Sequence, residues 1–223
     1  MRLLAGREDA AVREVTRKIP LRRQEWLATF ALCAALLALN AGLPFGQPAQ
    51  GFTYNSVAVL AGQWWRLLTH PFVHVSLYHA LLDGAAFLLL WVSLRDSLPR
   101  RFAIVACCAA GAWLVARLSD PTVTTHGLCG LSGVAHGLMS WQALSETRAA
   151  AGRRSRFVWL GILAGVVGKC AWEVATGGVL LSNWHLGDVG SPVPGTHAGG
   201  VLAALTAGLA TGIGRMRALK RRA

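Results

Sequence analysis

The sequence predicts an all-α polytopic membrane protein, folded as a bundle of six transmembrane helices. Its 223 residues are 54% hydrophobic and only 14% charged, whereas about 25% of the residues of an ordinary soluble domain are charged. Nearly all of the 22 Lys and Arg residues fall in four short clusters, and these clusters separate long apolar stretches. Low charge and alternation of apolar and basic segments are typical of a chain that crosses a bilayer several times.

Five stretches are apolar and long enough to cross about 30 Å of hydrocarbon. They are 26–43, 73–94, 101–118, 157–176 and 196–214. A sixth stretch, 127–145, is less apolar, and its glycines at 127, 130, 133 and 137 would line one face of a helix. Because small residues let helices approach closely in lipid, we interpret 127–145 as a central span that other helices wrap.

The positions of the charges predict the orientation of the chain. With six spans both termini lie on one side, together with all four basic clusters, 2–23, 95–101, 148–156 and 215–222. The loops on the other side, 44–72, 119–126 and 177–195, carry Arg66 as their only Lys or Arg. Since basic loops stay in the cytoplasm, we predict a cytoplasmic N-terminal segment (1–25), a six-span domain (26–214) and a cytoplasmic tail (215–223). The net charge of +12 therefore indicates membrane topology rather than binding of nucleic acid.

Two polar residues in the predicted spans are candidates for nucleophilic chemistry. Ser132 lies among small residues in the sequence Gly-Leu-Ser-Gly, near the outer end of the fourth span. His197 lies in the sixth span and shares a helical face with Gly200 and Ala204. If these small residues press the sixth span against the fourth, the imidazole could take the serine proton and return it to a leaving amine. Helix packing for the serine and a structural hydrogen bond for the histidine are the alternatives.

A second polar group begins in the outer loop at Trp65 and Arg66 and continues into the second span. His79 and Asp83 are four residues apart and share a helical face, where a donor could stabilise an oxyanion. Three histidines at 70, 74 and 79 also suggest a metal site. Their spacing lacks the HExxH signature of helical zinc proteases, so we predict neither a metal nor an organic cofactor.

Taken in order along the chain, these motifs resemble the rhomboid intramembrane protease family over residues 26–214. The matching positions are Trp65, Arg66, His74, His79, residue 83, Gly130-Leu131-Ser132-Gly133 and His197-x-x-Gly200. The resemblance implies a catalytic dyad of Ser132 and His197. It also implies an oxyanion hole formed by His79 and the amide at the nucleophile, with Gly130 and Leu131 in support and His74 flanking the site.

Asp83 departs from the family pattern, which usually has Asn at this position. An ionised carboxylate beside a developing oxyanion would oppose the reaction. We hypothesise that burial keeps Asp83 protonated, so that it donates as Asn would. The alternative is that Asp83 orients His79 and does not contact the oxyanion.

The segment from Gly130 to Gly137 resembles the rhombosortase branch of the family, because His136 follows the nucleophile by four residues. The compact six-span form and the sequence Lys169-x-x-x-Glu173 also resemble that branch. His136 either flanks the site or makes a packing contact, and we interpret Lys169 and Glu173 as a structural ion pair within a span. The resemblance implies substrates that are membrane-anchored proteins with a GlyGly-type C-terminal tail. It also implies a bacterial inner (cytoplasmic) membrane, a multi-pass chain and both termini in the cytoplasm.

Three other functions are considered. The chain could be a general rhomboid protease with other single-span substrates, or a non-catalytic relative that binds transmembrane segments. It could also be a small transporter with a relay of Lys169, Glu173 and Asp83, although the sequence has no inverted repeat. The remaining histidines, at 70, 126 and 185, are expected to be solvated, and the turn-rich loop around Asp188 is expected to act as a lid.

Overall fold

The computed structural model describes residues 22–180 and 184–220, with side chains described as far as residue 211. Within these residues the chain is helical apart from loops and one isolated antiparallel bridge between Tyr54 and Leu128. The helices are α1 (Arg23–Leu39), α2 (Ser56–Leu60), α3 (Arg66–Thr69), α4 (Leu77–Ser93), α5 (Leu98–Ser119), α6 (Thr122–His126), α7 (Ser132–Ala149), α8 (Arg153–Thr176) and α9 (Pro194–Lys220). Short 3₁₀ turns occur at Leu43–Phe45, Gln50–Phe52 and His70–Phe72. Most of the predicted N-terminal segment and the end of the predicted tail lie outside the described residues.

Three segments of the described chain are long and apolar enough to cross a membrane. They are Arg23–Phe45, Leu98–Ser119 and Arg153–Thr176, and the pair Arg66–Phe72 and Leu77–Ser93, bent by 95°, would make a fourth if it formed one span. The chain is therefore a multi-pass membrane protein, and the predicted all-helical class is confirmed. The count of six spans stays a prediction, because among the described residues only these three segments, or four with the bent pair, are long and apolar enough.

Helix α7 lies at the centre of the bundle and packs against α4, α5, α8 and α9. Its buried residues include Val134, Leu138 and Trp141, which join the main apolar core with Phe87 and Trp91 of α4. A helix wrapped by protein need not be as apolar as one that faces lipid. The interpretation of this stretch as a central, protein-wrapped helix is confirmed.

The prediction that four glycines line one face of this helix is wrong for two of them. The helix begins at Ser132, and Gly127 and Gly130 precede it with φ angles of +86° and +103°. Such φ angles lie in the left-handed region, which glycine adopts without steric cost and which a right-handed helix excludes. Gly127 and Gly130 therefore shape the turn that leads into Ser132 rather than a helical surface.

Helices α7 and α9 pack backbone against backbone. A Cβ atom added at Gly200 would clash with the carbonyl oxygen of Gly133, and one added at Gly133 would lie 2.7 Å from the carbonyl oxygen of Thr196. Ala204, one turn further along α9, is fully buried. The predicted face of small residues on the sixth span thus packs against the fourth, and this contact places residue 132 close to residue 197.

The loop between α1 and α4 is tied together by Arg66. One guanidinium nitrogen donates to the carbonyl oxygens of Gln50 (2.7 Å) and Thr53 (2.8 Å), and Nε donates to the side chain of Gln63 (2.7 Å). Trp65 adds a hydrogen bond from its indole nitrogen to the carbonyl of Gly51. These bonds give Trp65 and Arg66 a structural role in the loop.

Candidate active site

Ser132 is the first residue of α7 and is half-buried. The N–H groups of a first helical turn have no acceptor within the helix, and they form the positive end of its dipole. Leu131 before it is fully buried, and the N–H of Gly130 donates to the carbonyl oxygen of His70 (3.1 Å). The serine therefore lies at a fixed helix N-terminus, at the positive end of the helix dipole.

His197 of α9 is buried, with 7% of its surface exposed. Its Nδ1 lies 2.7 Å from Oε2 of Glu173, which leaves Nε2 as the ring nitrogen available to Ser132. The hydrogen bonds formed by the described side chains do not include one between the Ser132 hydroxyl and His197. Catalytic hydrogen bonds are often long in the free enzyme and shorten when substrate binds.

His136 connects the serine helix to His197. Its ring stacks on the ring of His197, with centroids 4.1 Å apart and planes inclined by 19°. Its Nδ1 lies 2.7 Å from the carbonyl oxygen of Ser132, one helical turn earlier. His136 therefore contacts both the backbone of Ser132 and the ring of His197, and its role in the site stays a prediction.

Glu173 of α8 is fully buried, and its Oε2 reaches Nδ1 of His197 on α9. Its second oxygen, Oε1, accepts hydrogen bonds from Lys169 Nζ (2.6 Å) and from the N–H of Leu180 (2.9 Å). Lys169 Nζ also lies 2.9 Å from Nε2 of His136. Lys169 and Glu173 form an ion pair, as expected, but the pair also contacts both site histidines. The sequence reasoning missed this link.

The second polar group consists of His79 and Asp83 on α4 and of His74, which precedes that helix. His79 and Asp83 lie next to Gly130. Oδ2 of Asp83 is 3.1 Å from Nε2 of His79 and 3.7 Å from Nε2 of His74. These are close electrostatic contacts rather than well-aligned hydrogen bonds, because Asp83 Oδ2 and His74 Nε2 lack hydrogen-bond partners among the described residues. Nδ1 of His79 is also buried without a partner there. A Cβ atom at Gly130 would lie 3.0 Å from Nε2 of His79, so glycine lets this group approach the segment before Ser132.

Asn40, at the end of α1, is a site-supporting residue that the sequence reasoning missed. Its Oδ1 accepts from the N–H of His74 (3.0 Å) and lies 3.2 Å from the ring nitrogen Nδ1 of the same residue. Its Nδ2 donates to the carbonyl oxygen of Phe72 (2.8 Å). The signal available in the sequence was an amide side chain within the first predicted span, 26–43.

The expectation that His70 is solvated is wrong. Only 3% of this residue is exposed, and its Nδ1 lies 3.1 Å from the carbonyl oxygen of Arg66. Its ring also makes an edge contact with Tyr54. The loop folds back over the histidine, which hydropathy along the chain does not reveal. His126 is exposed and His185 half-buried.

The turn-rich loop before α9 lies against the start of α4. The Ser76 hydroxyl donates to the carbonyl oxygen of Asp188, and Tyr78 Oη lies 3.4 Å from Nδ1 of His185. Ser76 also caps α4 by accepting from the N–H of His79 (3.0 Å). The loop is thus linked to the helix that carries His79, and its role as a lid stays a prediction.

Over residues 22–180 and 184–220, no group of three or more His, Cys, Asp or Glu side chains is arranged to hold a metal ion. The histidines at 74 and 79 instead surround the carboxylate of Asp83.

The fold and the site define a class: polytopic helical membrane proteins with a serine at a buried helix N-terminus and histidines on the neighbouring helices. Residues 61–214 match the family model of the Rhomboid domain. The chain belongs to the rhomboid family, whose members are generally intramembrane serine proteases. No curated protein sequence matches the chain. The predicted family membership is thus confirmed, whereas the rhombosortase branch stays a prediction.

Proposed function

We propose that the chain is an intramembrane serine protease that uses Ser132 and His197 as its catalytic dyad. The observation that carries this proposal is the contact between α7 and α9. Gly133 and Gly200 bring the two backbones together, and the ring of His197 stacks on His136, which in turn contacts the carbonyl of Ser132. Membership of the rhomboid family supplies the reaction class.

In the proposed reaction, Ser132 Oγ attacks the carbonyl carbon of the scissile peptide while its proton passes to Nε2 of His197. The same proton then moves to the leaving amine nitrogen as the C–N bond breaks, which leaves an acyl-enzyme. Water then attacks the ester carbonyl carbon while His197 takes one of its protons, and that proton passes to Ser132 Oγ as the ester C–O bond breaks. In the rhombosortase branch, an amine of another molecule is the alternative to water in this second step.

The oxyanion of each tetrahedral intermediate is assigned to His79 and to the amides at the start of α7. Support comes from the buried Nδ1 of His79, which has no partner among the described residues, and from the N–H groups of the first helical turn, which have no acceptor within the helix. Removal of one such donor from a serine protease costs about 10²–10³ in kcat. His79 is therefore the third residue of the proposed machinery.

The proposed substrates are membrane-anchored proteins with a GlyGly-type C-terminal tail, cleaved near the outer membrane face. This part of the proposal is supported by the resemblance of the sequence around His136, Lys169 and Glu173 to the rhombosortase branch. The enzyme would lie in a bacterial inner membrane with six spans and both termini in the cytoplasm.

The test is co-expression of the chain with a GlyGly-tailed protein and, separately, with a single-span protein that has an unrelated transmembrane segment. We expect tail removal by the wild type, and loss of at least a thousandfold of the cleavage rate in Ser132→Ala and His197→Ala. Immunoblots of the substrate C-terminus and mass spectrometry of the new end provide the measurement.

Cleavage of the unrelated protein alone would support a general rhomboid protease and reject the rhombosortase assignment. Equal cleavage by wild type and Ser132→Ala would reject the catalytic dyad itself. Ser140→Ala is the matched control, because Ser140 lies on the same helix and its hydroxyl donates only to the carbonyl of His136; it should retain activity.

A further inference from the structure

We infer that Glu173 is a positioning residue for His197, so that the site works as a Ser132–His197–Glu173 relay rather than as a two-residue dyad. This inference rests on the proposed function. The contact that carries it joins Oε2 of Glu173 to Nδ1 of His197 at 2.7 Å, a length typical of a charge-assisted hydrogen bond. The carboxylate comes from α8, a helix that holds neither the nucleophile nor the base.

The contact with Glu173 fixes the tautomer of His197. A carboxylate can only accept a hydrogen bond, so Nδ1 of His197 must carry the proton in this contact. Nε2 then has the free electron pair, and only that nitrogen can take a proton from Ser132. Without the carboxylate, the ring could adopt the other tautomer, in which Nε2 is already protonated and cannot act as the base.

His197 gains a positive charge during the reaction, and Glu173 is placed to stabilise it. When Nε2 takes the serine proton, the ring becomes an imidazolium in a buried environment with 7% of the residue exposed. An isolated buried charge is costly. Glu173 is fully buried beside it. Because its Oε2 lies 2.7 Å from Nδ1 of His197, the carboxylate stabilises the imidazolium directly.

Glu173 is held through both of its carboxylate oxygens. Oε1 accepts from Lys169 Nζ at 2.6 Å and from the N–H of Leu180 at 2.9 Å, so both carboxylate oxygens are occupied. If Glu173 served only to neutralise Lys169, one oxygen would suffice, and the other would not need to approach His197. The three hydrogen bonds fix the direction of Oε2 toward the imidazole.

His136 is excluded as the base because both of its ring nitrogens have partners. Lys169 Nζ, a donor, lies 2.9 Å from Nε2 of His136, and a carbonyl acceptor, Ser132 O, lies 2.7 Å from its Nδ1. Both nitrogens are therefore occupied, Nε2 as acceptor and Nδ1 as donor. His136 holds the plane of the His197 ring by stacking at 4.1 Å, while the proton is transferred at His197.

The experiment compares Glu173→Gln, Glu173→Asp and the control Glu146→Gln in purified, reconstituted enzyme. Glutamine keeps the size of the side chain but removes its charge and can donate to Nδ1, which favours the wrong tautomer. We expect kcat to fall by about a hundredfold to ten-thousandfold in Glu173→Gln, with KM within about threefold and the Tm within a few degrees of the wild type. Glu146 pairs with Arg95 (3.1 Å) on another part of α7, so Glu146→Gln should keep wild-type kcat.

Glu173→Asp keeps a carboxylate beside Lys169 and should recover at least tenfold of the kcat lost in Glu173→Gln. The rate at which a fluorophosphonate probe labels Ser132 should follow the same order, because that reaction also needs the base. A kcat for Glu173→Gln within threefold of the wild type would overturn the inference. So would equal kcat in the Gln and Asp variants when both retain the wild-type Tm.

The failure of this inference differs from that of the proposed function. Full activity in Glu173→Gln together with inactivity of Ser132→Ala and His197→Ala would leave a serine–histidine dyad in place. Activity in Ser132→Ala would remove the protease assignment as a whole.

Discussion

At the scale of single residues, the two buried carboxylates near Ser132 are held in different ways. Glu173 accepts three hydrogen bonds, each between 2.6 and 2.9 Å. Asp83 instead lies between two imidazoles, and its Oδ2 has no well-aligned donor among the described residues. Glu173 is thus fixed as an acceptor, whereas we propose that Asp83 orients His79 through a contact that an amide could replace.

Asp83→Asn is therefore expected to keep kcat/KM within about threefold of the wild type. The amide oxygen can still face Nε2 of His79, which lies 3.1 Å from Oδ2, and the variant has the residue usual in the family. Asp83→Ala should lose more than tenfold, because it leaves His79 without its partner on α4. Steady-state kinetics of both variants on one substrate provide the measurement.

An inactive Asp83→Asn with an unchanged Tm would instead show that the reaction needs the carboxylate. Asp96→Asn is a matched control, since Asp96 pairs with Arg100 (3.1 Å) and accepts from Trp141 Nε1 (2.8 Å) on other parts of the bundle. It should change stability without changing the ratio of activity to folded enzyme.

The types of residue near the site could be predicted from the sequence, but not all of their contacts. Ser132, His79 and His197 could be selected because ionisable and nucleophilic groups are costly in spans and therefore few. The contact of Glu173 with His197 joins two helices across 24 positions, and its existence depends on the rotation of α8 about its axis. No local pattern specifies that rotation, so the ion pair with Lys169 was predictable and its link to the base was not.

At the scale of elements, the contact between α7 and α9 determines whether serine and histidine meet. Gly133 and Gly200 let the two backbones touch, and in lipid such close packing replaces the hydrophobic force that joins helices in water. The spacing of small residues in the sixth span predicted this contact. The turn before α7 was predicted wrongly as part of the helix. The spacing of the glycines fits a helix, but it does not reveal that the φ angles at Gly127 and Gly130 are positive.

Gly200→Ala is expected to lower both stability and activity. The added methyl group would clash with the carbonyl oxygen of Gly133, and overpacking of this kind typically costs about 1–3 kcal/mol. Separation of the helices should also reduce kcat by more than tenfold, because a displacement of about 1 Å can cost 10²-fold in rate. Thermal unfolding in detergent and proteolysis of the substrate measure the two effects.

Gly161→Ala is the matched control. Gly161 lies within α8, where an added Cβ would meet nothing within 4 Å, and alanine is the better helix former by about 1 kcal/mol. It should leave activity unchanged and the Tm equal or higher. If Gly200→Ala behaved in the same way, close packing at Gly133 would not be needed for catalysis.

At the scale of the whole molecule, polar networks lie at both ends of the bundle, with an apolar core between them. At the end opposite to Ser132, buried Arg101 of α5 contacts Glu25 of α1 (3.3 Å) and the carbonyl of Asp96 (2.9 Å). Arg95 pairs nearby with Glu146 at the far end of α7. Most of the described Lys and Arg residues thus lie at one end of the bundle and the candidate site at the other, an asymmetry that the charge clusters already indicated in the sequence.

This asymmetry predicts that the basic end faces the cytoplasm and that Ser132 lies near the outer face. Insertion of an epitope tag after Ala151, between α7 and α8, should place the tag in the cytoplasm beside Arg153 and Arg154. A tag after Gly46, where an added Cβ would meet nothing within 4 Å, should lie outside. Protease added to intact spheroplasts should remove only the tag at 46, and permeabilisation should expose the tag at 151, because basic loops resist translocation.

A soluble cytoplasmic protein that stays intact until permeabilisation is the control, and retained substrate cleavage shows that each tagged chain folds. Removal of the tag at 151 from intact spheroplasts would show that the topology is the reverse of the predicted one. The candidate site would then lie on the cytoplasmic side, where an exported tail could not reach Ser132.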